Sequence, residues 1–149
     1  MIQPKDDKYF MQKAYEEAEI AFQKDEVPIG AVIVHKGKII ARAHNLTETL
    51  NDVTAHAEMQ AFTSAADYLG GKYLKDCTLY VTLEPCQMCA GASYWTQIGK
   101  IIFGATDEQR GFNKLKTTLH PKTKVIGGVL EEKCGKIVTK FFIEKRNLN

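Results

Sequence analysis

The sequence predicts an α/β fold in which helices cover both faces of one sheet. Segments with helical periodicity alternate along the chain with short apolar runs typical of strands, and this order favours helices packed on a sheet. The chain has 149 residues, of which 44% are hydrophobic and 26% are charged. That composition is ordinary for a soluble globular protein, and the chain is long enough to bury a core. We expect one domain over residues 1–149, with no repeat, linker or low-complexity segment.

The predicted elements are bounded by turn-forming residues or by a change of periodicity. In chain order they are a helix over 6–24, strands over 29–35 and 38–43, a helix over about 54–69, a strand over 77–83, a helix over 86–95, strands over 100–104 and 125–126, and a helix over 131–146. Val27-Pro28 interrupts the first helical pattern. Lys36-Gly37 is a hairpin signal between two strand-like runs. Gly70-Gly71 ends the second helix.

The second half of the chain is predicted from its apolar runs. Cys77 to Leu83 is a continuous apolar run typical of a buried strand, and Pro85 suits the start of the helix that follows. Residues 105–124 are polar and mixed, so we expect a loop there. The last helix places Ile137, Phe141 and Phe142 near one face.

His56-Ala57-Glu58 and Pro85-Cys86-Gln87-Met88-Cys89 are the most informative segments of the chain. His56, Cys86 and Cys89 offer one imidazole and two thiolates, which can hold a zinc ion. A structural zinc site has four protein ligands, whereas a catalytic site has three and leaves the fourth position for water. Three ligands beside Glu58, a carboxylate able to move protons, therefore indicate a hydrolytic site. Alternatives remain: a redox-active Cys-x-x-Cys pair, or Glu58 as a fourth ligand or a solvated helix residue.

The predicted elements place these ligands at two helix N-termini. His56 lies at the start of the second helix, and Cys86 and Cys89 lie in the first turn of the third. The helix dipole favours a thiolate there. In a regular helix His56 and Glu58 would point about 200° apart. They can converge only if the second helix is just beginning at His56.

The flanks of these motifs add a family resemblance. Together with Val27–Val32, Asn45, Asp52–Glu58 and Tyr80–Ala92, the chain resembles the zinc-dependent deaminases of the cytidine/deoxycytidylate deaminase superfamily, and within it the bacterial tRNA-specific adenosine deaminases. The resemblance runs over about residues 8–146. It implies a three-layer α/β/α fold with a five-stranded mixed sheet and helices on both faces. It also implies one Zn²⁺ per subunit and a homodimer in which the partner helps form the RNA surface.

The resemblance also implies roles for single residues. Glu58 is the catalytic residue, which takes a proton from the attacking water and delivers protons to the ring nitrogen and the departing ammonia. Asn45 matches the family's asparagine that hydrogen-bonds the base or sugar. Further contacts with the substrate are implied for Val27, Pro28, Ala57, Glu84 and, in the last helix, Phe142. Asn45 alone is also typical of a turn, and Glu84 alone of a helix start.

The charge distribution bears on the partner. Residues 1–99 hold nine Lys and Arg against thirteen Asp and Glu, whereas residues 100–149 hold eleven against five. This asymmetry is typical of a nucleic-acid surface and equally of a lysine-rich solvated face. Met1–Lys8 has no apolar segment of a signal peptide, and no apolar run approaches the ~20 residues that span a bilayer. We therefore expect a cytoplasmic protein, with Cys77 and Cys134 as small core residues.

The substrate is left open between two classes of deaminase. The flanking motifs favour deamination of adenosine to inosine at the wobble position (34) of a tRNA anticodon loop. Tyr94-Trp95 resembles guanine deaminases, and residues 106–114 lack the small-residue loop of the tRNA enzymes. These departures favour deamination of a free base or nucleoside such as guanine or cytosine. A third hypothesis is a zinc-stabilised binding domain without catalysis, against which Glu58 argues. Trp95 could stack on a base, but an interface or core position is favoured for it. His120-Pro121 is a candidate for the mouth of the substrate site, and no role is predicted for Arg110.

Overall fold

The computed structural model describes residues 4–147, which form four helices and a five-stranded sheet. The elements in chain order are α1 (Asp7–Gln23), β1 (Gly30–His35), β2 (Lys38–His44), α2 (Ala57–Leu69), β3 (Cys77–Leu83), α3 (Gln87–Thr96), β4 (Lys100–Ala105), β5 (Lys124–Ile126) and α4 (Glu131–Asn147). The prediction of a mixed five-stranded sheet is confirmed. In the part of the chain that the structure describes, no helix is long and apolar enough to cross a bilayer.

The sheet has the order β2-β1-β3-β4-β5. Strand β1 runs antiparallel to both of its neighbours, β2 and β3, while β3, β4 and β5 run parallel to one another. Parallel strands need crossover connections, and α3 supplies the one from β3 to β4. The carboxyl end of β3 therefore lies beside the amino end of β1, and both lead into loops at one edge of the fold.

The two faces of the sheet carry two separate apolar cores. Alternate residues of a strand point to opposite faces, so Ala31 and Ile33 pack under α2 and α3, while Val32 and Val34 pack under α1 and α4. The first core is built by α2 and α3 side chains such as Phe62 and Ala90 on Leu79, Val81, Ile101 and Phe103. The second contains Phe10, Met11, Ala14 and Cys134. The sheet therefore lies between two layers of helices, which gives the three predicted layers.

Helix α1 lies unusually close to the start of β1. A Cβ added at Gly30 would lie 2.0 Å from the Ala14 carbonyl oxygen and 2.5 Å from the Ala18 nitrogen. Both alanines are fully buried. Only a residue without a side chain fits here, and this close contact fixes the loop that leads from α1 into β1.

The predicted boundaries differ from the structure mainly around α2. The second helix begins at Ala57 instead of near Thr54, and His56 is its N-cap with an extended backbone (φ −74°, ψ 154°). Gly70 ends this helix in the left-handed conformation, as the Gly-Gly signal predicts. Cys77 and Cys134 are buried, which confirms their prediction as core residues. Trp95 is 78% exposed, which excludes the core and leaves the interface among the two positions predicted for it.

Candidate active site

The three predicted metal ligands come together at the N-termini of α2 and α3. His56 is the N-cap of α2, Cys86 is the N-cap of α3, and Cys89 lies in the first turn of α3. Their ligand atoms all lie within 4.8 Å of one another. Because the backbone at His56 is extended, its side chain and that of Glu58 are not constrained to opposite sides of a helix. His56 and Glu58 can therefore face the same site although they are only two residues apart.

The distances within the cluster fit a tetrahedral zinc ion. Zn–S bonds of about 2.3 Å and Zn–N bonds of about 2.0 Å at tetrahedral angles put sulfur and nitrogen roughly 3.5 Å apart. The measured distances from His56 Nδ1 are 3.6 Å to Cys86 Sγ and 3.5 Å to Cys89 Sγ. Within residues 4–147 the cluster holds these three ligands and does not include Glu58. The donor set thus suits a catalytic zinc, with Nδ1 as the imidazole ligand atom.

Glu58 is buried next to this cluster, with only 4% of the residue exposed. Burial raises the pKa of its carboxyl group from the ordinary 4.5 to about 7, against the opposing effect of a hydrogen bond from its own backbone N–H. A carboxyl group with a pKa near neutrality can both accept and donate a proton at physiological pH. Glu58 is therefore not a solvated helix residue.

The two cysteines share a proton in the absence of a metal ion. The hydrogen bond with the Cys89 thiol lowers the pKa of Cys86 to about 4, and His56 contributes to this shift. The same bond raises the pKa of Cys89. The hydrogen bond with Cys86 also raises the pKa of His56. A metal ion needs both thiolates and a neutral imidazole nitrogen, so its binding releases protons and weakens as the pH falls.

Asn45 joins the first turn of α2 to the loop before β1. Its backbone N–H donates to the Ile29 carbonyl oxygen at 3.1 Å, and its side-chain Oδ1 accepts from the Ala57 N–H at 2.9 Å. That bond assigns the amide orientation, because only oxygen can accept here. The Nδ2 group has no hydrogen-bond partner among residues 4–147 and remains a donor for a ligand.

The structure thus brings several predicted substrate contacts together. Pro28 is buried and Val27 is half-buried, in a turn closed by the bond from the Ile29 N–H to the Val27 carbonyl oxygen at 2.8 Å. This turn lies beside Asn45 and, through it, beside Ala57. The Ala57 N–H reaches a base only in competition with Asn45, so its contact with a substrate stays a prediction.

The side chain of Glu84 is buried and binds backbone groups of a distant loop. Glu84 is 2% exposed, and its carboxylate accepts from the backbone N–H groups of Asp107, at 3.1 Å, and Asn113, at 2.9 Å. These partners lie 23 and 29 residues further along the chain, so local sequence gives no signal of them. The Glu84 carboxylate therefore binds a loop of its own chain, and the expected contact of Glu84 with a substrate stays a prediction. A contact from its backbone stays a prediction.

Glu26 is a second buried carboxylate, and the sequence did not indicate it. It is fully buried and accepts from the N–H of Glu48 at 3.1 Å and from the N–H and hydroxyl of Thr49 at 2.6 and 2.7 Å. These hydrogen bonds lower its pKa although burial, the largest single effect, acts to raise it. The only signal was an acidic residue directly before the Val27-Pro28 turn. Glu26 holds the loop between Asn45 and His56.

Phe142 and the Tyr94-Trp95 pair lie on the surface. Phe142 is 47% exposed, while its neighbour Phe141 is buried against the ring of Phe22, so the predicted apolar face of α4 does not include Phe142. The contact of Phe142 with a substrate stays a prediction. Tyr94 packs against the ring of His120, with centroids 5.5 Å apart. An interface role for Trp95 also stays a prediction.

Comparison with known proteins agrees with this site. A family model described as MafB19-like deaminase matches residues 5–146. The tRNA-specific adenosine deaminase of Bacillus subtilis is 47% identical over 146 residues, which cover 94% of this chain and 91% of that protein.

Solved structures similar to this chain include the following two. One comes from work on A-to-I editing by tRNA:A34 deaminases; it is 42% identical, covers 87% of this chain and 98% of that one, and has a TM-score of 0.79. A guanine deaminase from Bacillus subtilis is 39% identical, with 68% of this chain and 66% of that one covered and a TM-score of 0.66. The chain therefore belongs to the MafB19-like deaminase family, and it is a hydrolytic deaminase.

Proposed function

We propose that this chain deaminates adenosine to inosine at the wobble position of a tRNA anticodon loop. The observation that carries the proposal is a buried Glu58 beside a three-ligand metal cluster, in a chain that is 47% identical over nearly its whole length to a tRNA-specific adenosine deaminase. The site residues proposed are His56, Cys86 and Cys89 as metal ligands, Glu58 as the catalytic residue, and Asn45 as the residue that orients the base.

The proposed metal is one Zn²⁺ per subunit. Two thiolates and one imidazole suit zinc among the common divalent ions. A zinc ion in this position supplies Lewis acidity and lowers the pKa of a water molecule. The two thiolates balance the formal charge of the ion, so a protein base that takes the proton adds to the rate. Glu58, buried next to the cluster, is the residue proposed for that role.

The chain's own residues supply the rest of the chemistry. Glu58 accepts a proton from the attacking water, donates one to the ring nitrogen of the base, and later transfers one to the departing ammonia. Its burial beside the cluster places the carboxyl group where it can transfer protons in both directions. Asn45 Nδ2 offers a donor to the base or the sugar. The half-buried Val27 and the buried Pro28 exclude water from one side of the site.

We also propose a homodimer in the cytoplasm, with one deaminase domain across the chain. The exposed Tyr94 and Trp95 at the end of α3 support a contact between subunits. The guanine deaminase neighbour and the Tyr94-Trp95 pair favour a second candidate, deamination of free guanine.

One assay tests both candidates. An anticodon stem-loop with adenosine at the wobble position is incubated with the zinc-loaded enzyme, in parallel with free guanine, cytosine, adenosine and cytidine. The proposal predicts ammonia release and inosine at that one position of the stem-loop. Turnover of guanine with an inert stem-loop would support the second candidate instead.

A further inference from the structure

The loop between β4 and β5 is hydrogen-bonded to residues 84–86, which connect β3 to α3 and include the proposed metal ligand Cys86. The Glu84 N–H donates to the Ala105 carbonyl oxygen at 2.8 Å, and the Phe112 N–H donates to the Pro85 carbonyl oxygen at 3.0 Å. Cys86 and Gly111 form an isolated antiparallel bridge. Residues 106–114, the segment that departs from the small-residue loop of tRNA deaminases, thus lie against Cys86 itself.

The Glu84 carboxylate organises this loop. Its two oxygens accept from the N–H groups of Asp107 and Asn113, at either end of the segment. A Cβ added at Gly111 would lie 2.4 Å from Glu84 Cδ and 2.5 Å from both carboxylate oxygens. The buried Phe112 packs on Phe103, with ring centroids 6.2 Å apart, and anchors the loop to the core. The conformation at Gly111 therefore depends on Glu84.

Arg110 is the exposed cationic residue next to this bridge. It immediately precedes the residue paired with Cys86, it is exposed, and its backbone N–H donates to Asp107 Oδ1 at 3.0 Å. Within residues 4–147 its guanidinium makes no ion pair or hydrogen bond. The surrounding residues 106–124 hold Arg110 and four lysines against two acids, Asp107 and Glu108, and so carry a net positive charge. A free guanidinium in a basic segment matches a phosphate group.

We propose that Arg110 binds a backbone phosphate of the RNA strand that carries the target adenosine, and that Glu84 is the positioning residue that holds Arg110 at the metal site. This inference rests on the proposed function. A free base has no phosphate, so the contact gives the enzyme a preference for a nucleotide within a strand. It also explains how a loop without the small residues of the tRNA enzymes still serves an RNA substrate.

The test compares stem-loop deamination by Arg110→Ala, Arg110→Lys and Arg42→Ala. Arg42 is the matched control because it is also an exposed arginine. It pairs with Val32 and so points to the face of the sheet covered by α1, opposite the face that carries α2 and α3. We expect Arg110→Ala to raise KM about tenfold, the range of one charge-assisted hydrogen bond. The slope of log KM against log salt should fall by about 0.7, the value for one phosphate contact on a single strand. Arg110→Lys should recover most of the salt slope.

Glu84→Gln tests the positioning role, because an amide keeps the size of the side chain but cannot accept from both N–H groups. We expect zinc content to stay at the wild-type level and KM to rise. When Arg110→Ala is added to the Glu84→Gln variant, KM should rise by less than about twofold. The effects of two residues that act through the same contact do not add. If Glu84→Gln does not fold, Gly111→Ala replaces it, as it displaces the loop while keeping the carboxylate.

Two outcomes overturn the inference. One is Arg110→Ala behaving like Arg42→Ala in both KM and salt slope. The other is full additivity of the Arg110 and Glu84 effects, which would remove Glu84 from the positioning role. Failure of the proposed function looks different, because the wild-type enzyme itself would then leave the stem-loop unchanged.

Discussion

Replacing Glu58 with Gln should change how the stability of the metal-free protein depends on pH. The folded protein raises the pKa of Glu58 from 4.5 to about 7, so the folded state holds this proton more tightly than the unfolded state. The contribution of Glu58 to stability is therefore greatest at low pH and is lost as the pH rises from about 4.5 through about 7. At about 1.4 kcal/mol per pKa unit, the full loss is about 3 kcal/mol, of which about 2 kcal/mol falls between pH 5 and pH 8. Gln does not titrate and escapes this loss.

The assay is urea unfolding of chelator-treated protein, followed by circular dichroism at pH 5 and pH 8. The stability of Glu58→Gln relative to wild type should rise by about 2 kcal/mol from pH 5 to pH 8, or about 4–8 °C in melting temperature for a domain of this size. The cysteines and His56 titrate in both proteins, and Glu58 acts on the pKa values of His56 and Cys89, so the difference reports Glu58 together with this coupling. Parallel pH profiles for the two apo proteins would refute the assignment of a raised pKa to Glu58.

Three further predictions concern the metal, the substrate and the fold. Cys89→Ser should abolish stoichiometric zinc binding and with it deamination, measured by metal analysis of purified protein; full zinc retention would contradict Cys89 as a ligand. Asn45→Ala should raise KM for the stem-loop about 10- to 100-fold while zinc content stays unchanged, since a buried donor to the base is lost; an unchanged KM would remove Asn45 from the substrate site. Gly30→Ala should destabilise the protein by at least about 2 kcal/mol in urea unfolding, since its Cβ would lie 2.0 Å from the Ala14 carbonyl oxygen; wild-type stability would contradict the close packing of α1 on β1.

The sequence predicted the elements and the residues of the His56, Cys86 and Cys89 cluster because both are encoded locally. Periodicity and turn residues such as Lys36-Gly37 locate helices and strands within a residue or two at most boundaries, and the Cys-x-x-Cys spacing identifies ligands on a helix start. The start of α2 was the exception. Residues 54–56 have helix-compatible types, but Asp52 caps a turn there by accepting from the Thr54 N–H at 2.8 Å.

The loops around the site could not be predicted, because distant residues decide their structure. Glu84 reads locally as an acid before a helix, and only the folded chain brings Asp107 and Asn113 to its carboxylate. Glu26 reads as a surface charge, yet it is fully buried with its oxygens bound by the loop at Thr49. Both are buried carboxylates with backbone N–H partners, which periodicity cannot distinguish from solvated acids.

The most direct test of the central claim is inosine formation in an anticodon stem-loop by the zinc-loaded enzyme, with Glu58→Gln beside it. The account predicts one inosine, at the wobble position, and a loss of about 100-fold or more in kcat for Glu58→Gln, with zinc retained, since general acid–base catalysis contributes at least that much. A wild-type enzyme that leaves the stem-loop unchanged, or a Glu58→Gln variant that deaminates at the wild-type rate, would contradict it.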